Sequence, residues 1–220
     1  MNGDGSPQSR NIISRLDVAD FDPVVKFMKR EAVRHGVALD RPVTIDLAPE
    51  VTTPPPTTPR YDANPLSIAW WSLKMRYWSW KVDTYPGPEP DIRLYVEYHN
   101  SGENGVLDTS FGLQKSRISV IRQFTSRRMA RKNQVIIAHE LLHTLGASDK
   151  YDLATLEVAW PEGYAAPEKS PLYPQQKAEI MGGRIPLSAR EFVIPASLEQ
   201  CIVGPETAGE IGWADSTQAF

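Results

Sequence analysis

The 220-residue chain is 41% hydrophobic and carries a formal charge of −3, which is enough apolar sequence for one large domain or two small ones. With a pI near 5.8, the overall balance carries no electrostatic footprint of a nucleic-acid or anionic-membrane protein. A single cysteine, Cys201, excludes an intrachain disulfide framework and a Cys-rich zinc site. No segment approaches the ~18–20 uninterrupted apolar residues of a membrane span, and Met1 to Arg10 is polar with no signal-peptide pattern. A cytoplasmic protein is the default expectation, and a trimmed soluble part of an exported or membrane-tethered protein is the alternative.

In chain order, residues 1–20 read as a flexible leader. Asp22-Pro23 is an N-cap followed by proline, and Gly36 a stop; between them Val24, Phe27, Met28 and Ala32 share one helical face. Pro42 to Ala48 alternates apolar and polar residues and predicts a strand. Pro54-Pro55-Pro56 and Pro59 predict an extended loop. Asn64-Pro65 opens a second helix to about Val82, with one apolar stripe of Leu66, Trp70, Leu73, Tyr77 and Trp80. A second stripe of Trp71, Met75 and Trp78 lies beside it. The expectation is a core helix packed under a sheet.

Asp91 to His99 predicts a strand, since Ile92, Leu94, Val96 and Tyr98 alternate with other residues. Leu107 to Leu113 and Ile118 to Phe124 predict two more. The basic run Arg122, Arg127, Arg128, Arg131 and Lys132 reads as a solvated face. A helix from about Ser126 to Leu145 follows, apolar nearly all round in its second half and therefore buried. Gly146 ends it. From Asp149 to about Pro186 loops are expected, and after Gly204-Pro205 a short helix closes the chain near Trp213.

The chemistry concentrates in His139-Glu140-Leu141-Leu142-His143-Thr144-Leu145-Gly146-Ala147-Ser148-Asp149. HExxH on a helix sets two imidazoles about 40° apart around the axis, so both reach one metal ion. Glu140 sits beside the first ligand, where it can act as general base toward water. The same helix face cannot supply a third ligand, so the chain must turn back, which Gly146 permits. Asp149 is the choice for that ligand and Asp152 its competitor. Three protein ligands leave one coordination position of a Zn²⁺ ion open.

HExxHxxGxx followed by Asp resembles the signature of the metzincin clan of zinc metalloproteases, in its snapalysin-like variant. The resemblance covers about Pro42 to Trp213. It implies an α+β, metzincin-like zincin domain from 21 to 220, with an upper part to about 146 and a lower part from 147. A twisted mixed sheet, a long backing helix, an active-site helix, an irregular lower half and a short C-terminal helix are the expected parts. It also implies a methionine turn below the metal, and Glu179-Ile180-Met181-Gly182-Gly183-Arg184 looks like it, with Met181 as the turn residue. Several metzincin families carry Tyr two residues after that Met, where this chain has Gly183. A tyrosine stabilising the oxyanion would then come from Tyr151, Tyr164 or Tyr173. By the same resemblance, Leu107 to Leu113 is the edge strand that pairs with extended substrate. Cys201, C-terminal to the site in an apolar Cys-Ile-Val context, reads as a buried structural thiol rather than a metal-blocking thiolate.

The expected function is a zinc-dependent metalloendopeptidase with one catalytic Zn²⁺, acting on peptide or protein substrates and not on nucleic acid. A zinc-binding regulatory protein with little proteolysis is one alternative. A zinc hydrolase of a non-peptide amide is the other.

Overall fold

A computed structural model describes residues 1–59, 64–100, 111–113, 117–152 and 155–213. It is a mixed α+β structure of small sheets and several helices. The expected leader instead starts with structure of its own. Met1 to Gly3 pairs with the strand at 93–99, through Tyr98 N–H to the Met1 carbonyl and Gly3 N–H to the Tyr98 carbonyl, both 3.0 Å. Ser6 then caps helix α1 (Pro7–Ile13) by accepting from Ser9 N–H. Ser6-Pro7 is the same cap-plus-proline signal as the later helices carry, but the helix is only seven residues long and buries only Ser9, so it leaves no apolar stripe to read.

Helix α2 (Asp22–Arg34) buries Val24, Phe27, Met28 and Ala32, the face its spacing predicts. Helix α3 (Pro65–Val82) is capped by Asn64, whose side chain accepts from Ser67 N–H. Only one of its two stripes is core. Trp71, Met75 and Trp78 are buried, whereas Leu66, Trp70, Leu73, Tyr77 and Trp80 face outward. Apolar periodicity reports both stripes alike and cannot say which one meets the sheet.

Strands β1 (Arg93–His99), β2 (Phe111–Leu113) and β3 (Ile118–Phe124) form a mixed sheet in the order β1-β3-β2, with β3 parallel to β1 and antiparallel to β2. Of the strand expected at Leu107 to Leu113, residues 107–110 lie outside the described residues. Alternation along β3 splits the core in two. Ile118 and Val120 pack with Trp71, Met75 and Trp78 of α3, while Ile121 belongs to the larger cluster around the helix that follows. The strand expected at Pro42 to Ala48 is not formed; the segment makes no ladder. Met1 to Gly3 pairs with the Val96–Tyr98 end of one edge of β1, and β3 runs along the other. The alternation instead records Val43 and Ile45 leaning on the larger core.

Helix α4 (Ala130–Leu145) enters through a 3₁₀ turn at Arg127–Met129 and buries Val135, Ile137, Ala138, Leu141 and Leu142 against β3 and α2. Complete burial of one such aliphatic side chain is worth about 1.5–3 kcal/mol. Beyond α4 the regular pieces are short: β4 (Ala178–Glu179) runs parallel to β7 (Cys201–Ile202), and β5 (Ile185–Pro186) is antiparallel to β6 (Phe192–Val193). Helix α5 (Pro205–Glu210) follows Gly204. Cys201 is fully buried and free, and burial pushes its thiol up to about 12.

Candidate metal centre

The last turns of α4 and the chain just after it converge on one point. Gly146 caps the helix at φ +122°, a backbone conformation that L side chains rarely adopt. The reversal brings Asp149 back under the helix. Its Oδ1 lies 3.2 Å from His139 Nε2 and 3.2 Å from His143 Nε2. Among the described residues these three side chains form a group that could hold a metal ion, with the candidate ligand atoms within 4.8 Å of one another.

Each imidazole is held through its other nitrogen. His139 Nδ1 is 3.0 Å from the Ile180 carbonyl oxygen and His143 Nδ1 is 2.8 Å from the Ala147 carbonyl oxygen. A carbonyl can only accept, so each Nδ1 carries a proton. The neutral imidazole then presents its Nε2 lone pair toward Asp149, as metal-ligating histidines require. In the metal-free chain a proton on Nε2 pairs with the Asp149 carboxylate in the place of a cation. Asp149 Oδ1 is buried and has no hydrogen-bond partner. Such an atom in a native interior calls for an explanation, and a cation between it and the two Nε2 lone pairs supplies one. The donor set fits a metal. Burial acts to raise the Asp149 carboxyl, but the adjoining His139 and His143 prevail and hold it well below the usual carboxylate range. Burial also opposes a charge on His143, yet Asp149 and the Ala147 carbonyl raise its pKa.

Glu140 is on the same helix and buried. The Ser119 hydroxyl on β3 donates to its Oε2 at 3.1 Å and fixes the carboxylate. Burial raises the Glu140 pKa against the lowering effect of the two histidines, as suits a group that must accept and return a proton. Asp152 is elsewhere: it is exposed, and its Oδ1 accepts from Thr155 N–H at 2.7 Å. Of the three tyrosines, Tyr164 and Tyr173 pair with each other, hydroxyls 3.0 Å apart. Tyr151 is the one facing the centre; burial and the Asp149 carboxylate beside it push its phenol up to about 12.

No family model, no curated protein and no solved structure matches this chain. The chemistry is therefore read from the side chains alone.

Met181 is fully buried, and the turn around it is built from its neighbours. Ile180 supplies the carbonyl that orients His139, and the Met181 carbonyl accepts from Lys150 N–H at 3.0 Å. Glu179, invisible as a site residue in the sequence, lies under this turn with no solvent exposure. Its carboxylate accepts from Gly182 N–H at 2.8 Å, Gly204 N–H at 2.9 Å and the Thr207 hydroxyl at 2.8 Å. A Cβ on Gly182 would meet the Gly163 carbonyl oxygen at 2.5 Å, so the close approach demands glycine there. Gly183, two residues after Met181, sits at φ +67°, a backbone that favours glycine.

Two further features escaped sequence reasoning. Lys150, 6% exposed, donates from Nζ to Glu210 Oε1 at 2.7 Å and to the Ser148 hydroxyl at 2.8 Å, tying the Asp149 loop to the end of α5. The Arg184 guanidinium lies 5.5 Å from the Tyr151 ring centroid and 4.8 Å from that of Phe192. Ser119 had a readable signal, a small polar residue amid the apolar run of β3. Glu179, Lys150 and Glu210 are single charges in a two-residue strand, a loop and a short helix, and had none.

Proposed function

We propose that this chain is a zinc-dependent metallopeptidase with a metzincin-like site. His139, His143 and Asp149 would hold the ion and Glu140 serves as general base. The observation that carries the reading is the convergence of two Nε2 atoms on the buried, otherwise unpartnered Asp149 Oδ1, with Glu140 on the same helix.

A bound Zn²⁺ supplies Lewis-acid chemistry and makes water acidic enough to be deprotonated near neutral pH. The chain's own residues do the rest. The Ile180 and Ala147 carbonyls keep both imidazoles in the tautomer that offers Nε2. The Glu140 carboxylate takes a proton from the attacking water and returns it to the leaving amine, so that peptide cleavage ends with a free carboxylate and a free amine. Ser119 keeps that carboxylate oriented throughout. Tyr151 has its phenol beside Asp149 with a pKa far above neutrality, so it stays protonated and can donate a hydrogen bond to developing negative charge. β2 lies on the sheet edge and offers backbone groups to an extended peptide. Together with a small mixed sheet backed by α3, these features support the metzincin-like arrangement.

The test is hydrolysis of a peptide library and an unfolded protein by the zinc-loaded chain. Glu140→Ala is expected to keep its zinc and lose at least ~10²–10⁴-fold in kcat/KM, the range for removal of a general base. Cleavage at the full rate by Glu140→Ala would rule the mechanism out.

A further inference from the structure

Helix α3 presents its sheet-remote face to solvent. Leu66 is 82% exposed, Trp70 60%, Leu73 54%, Tyr77 61% and Trp80 74%. At 100° per residue these side chains form one continuous line opposite the buried Trp71, Met75 and Trp78. The line runs ~21 Å along an 18-residue helix and exposes several hundred Å², at or above the ~300–600 Å² of the largest patch on a typical monomer. Leaving it in water has no structural return.

Charge identifies what covers it. By the same angular spacing, Lys74 and Lys81 border the stripe on one side and Arg76 on the other, all three exposed. The helix carries no Asp or Glu. Lys74 Nζ lies 5.7 Å from the Trp70 ring centroid, and the Tyr77 and Trp80 rings are 5.9 Å apart. Trp and Tyr favour the level of lipid headgroups, and flanking Lys and Arg are attracted to anionic ones. A protein partner is a poorer match, because a standard interface needs ~800 Å² per side. No helix among the described residues is long and apolar enough to cross a membrane, so α3 would lie in the interface plane rather than span it. The chain's net charge of −3 conceals this local cationic border.

We infer that α3 docks the protein on the surface of a membrane containing anionic lipid, through Leu66, Trp70, Leu73, Tyr77 and Trp80 with Lys74, Arg76 and Lys81 at the headgroups. The inference does not rest on the metal reading. α3 covers the sheet face that carries Ile118 and Val120, whereas Ser119 points to the opposite face, toward Glu140. A docked molecule therefore keeps its candidate metal centre on the side of the sheet away from the bilayer.

Sedimentation of the full chain with vesicles tests it, comparing phosphatidylcholine alone with an equal mixture of phosphatidylcholine and phosphatidylglycerol. Binding is expected on the mixed vesicles, with a blue shift of tryptophan emission, and is expected to weaken with added salt and on the neutral vesicles. Lys74→Gln and Lys81→Gln should each weaken it about fivefold. Trp70→Ser combined with Trp80→Ser should abolish it while the far-ultraviolet circular dichroism is unchanged. Equal binding to neutral and mixed vesicles, or none to either by the wild-type chain, overturns the proposal without reference to any variant. Self-association in solution that the Trp70→Ser, Trp80→Ser variant abolishes would also overturn it, in favour of a second copy as the occupant.

Discussion

The helix that carries His139, Glu140 and His143 and the region that carries Asp149 share one core but differ in what fixes their backbone. Helix α4 is a product of apolar packing: Ala138, Leu141 and Leu142 are almost fully buried between β3 and α2. Among the described residues from Ala147 onward the regular pieces are short strands, a 3₁₀ turn at Leu198–Gln200 and the short helix α5, and a buried carboxylate stands at their centre. Glu179 gathers backbone from 182 and 204 and the Thr207 hydroxyl; Glu31 of α2 does the same at one remove, accepting from Val203 N–H while paired with Arg30 and Arg34. Packing reaches the lower half as well, since Ile180, Met181, Ile185, Leu198, Cys201 and Val203 join the same core as α4. The difference teaches that a helix is set by packing and its own ladder, whereas a segment without long regular elements needs buried hydrogen bonds in addition to fix its backbone.

The largest effects should come from removing the centre of each part. Glu179→Ala would strand two buried N–H groups and a hydroxyl, and a loss of about 3–5 kcal/mol in urea unfolding is expected. Leu142→Ala should cost a comparable ~2–5 kcal/mol, but through a cavity. What separates them is Glu179→Gln, which keeps the shape and loses acceptor capacity. It should still cost about 1–3 kcal/mol, whereas the volume-conserving Leu142→Met should cost less than about 1.5 kcal/mol. If Glu179→Gln is neutral, packing alone suffices for the lower half and the contrast disappears.

A smaller effect sharpens the comparison at the loop itself. Burial acts to raise the Glu210 carboxyl, but hydrogen bonds from Lys150 and Ser148 prevail and lower it. A depressed folded-state pKa stabilises the fold above the ordinary carboxylate value, and the contribution is lost as pH falls through the depressed one. Glu210→Gln should therefore remove about 1 kcal/mol at neutral pH and leave stability less sensitive to acid below about pH 4.5. Thermal unfolding followed across that range measures it.

How far the molecule was legible in its sequence follows the same division. Asn64-Pro65, the apolar run of β3 and the Gly146 stop are local signals, and each element formed where its signal stood. At Asp22-Pro23 the helix formed too, but Asp22 is its first residue and not its cap: Phe21 holds the cap position, with no side-chain hydrogen bond, because the preceding 3₁₀ turn runs straight into the helix. The pattern at Pro42 to Ala48 misled because alternation records one-sided burial, and Val43 and Ile45 achieve that without a partner strand. In α3 the two stripes are equally apolar, and only the placement of the sheet decides which is hidden. His139, His143 and Asp149 were readable because helix periodicity and one glycine fix their meeting. Ser119 stood out as a small polar residue in β3, but Glu179, Lys150 and Glu210 did not, since they reach Thr207 and each other across 28 to 60 residues of chain with no repeating pattern.

The smallest effect and the largest meet in one experiment, titration of the metal-free chain with zinc against a chromophoric chelator. The wild-type chain is expected to take one equivalent, with Asp152→Ala indistinguishable from it. Asp149→Ala should bind more than about 100-fold more weakly, beyond the ~10–100-fold typical of losing only an outer-shell partner. Wild-type zinc affinity in Asp149→Ala, or its loss in Asp152→Ala, would contradict the account.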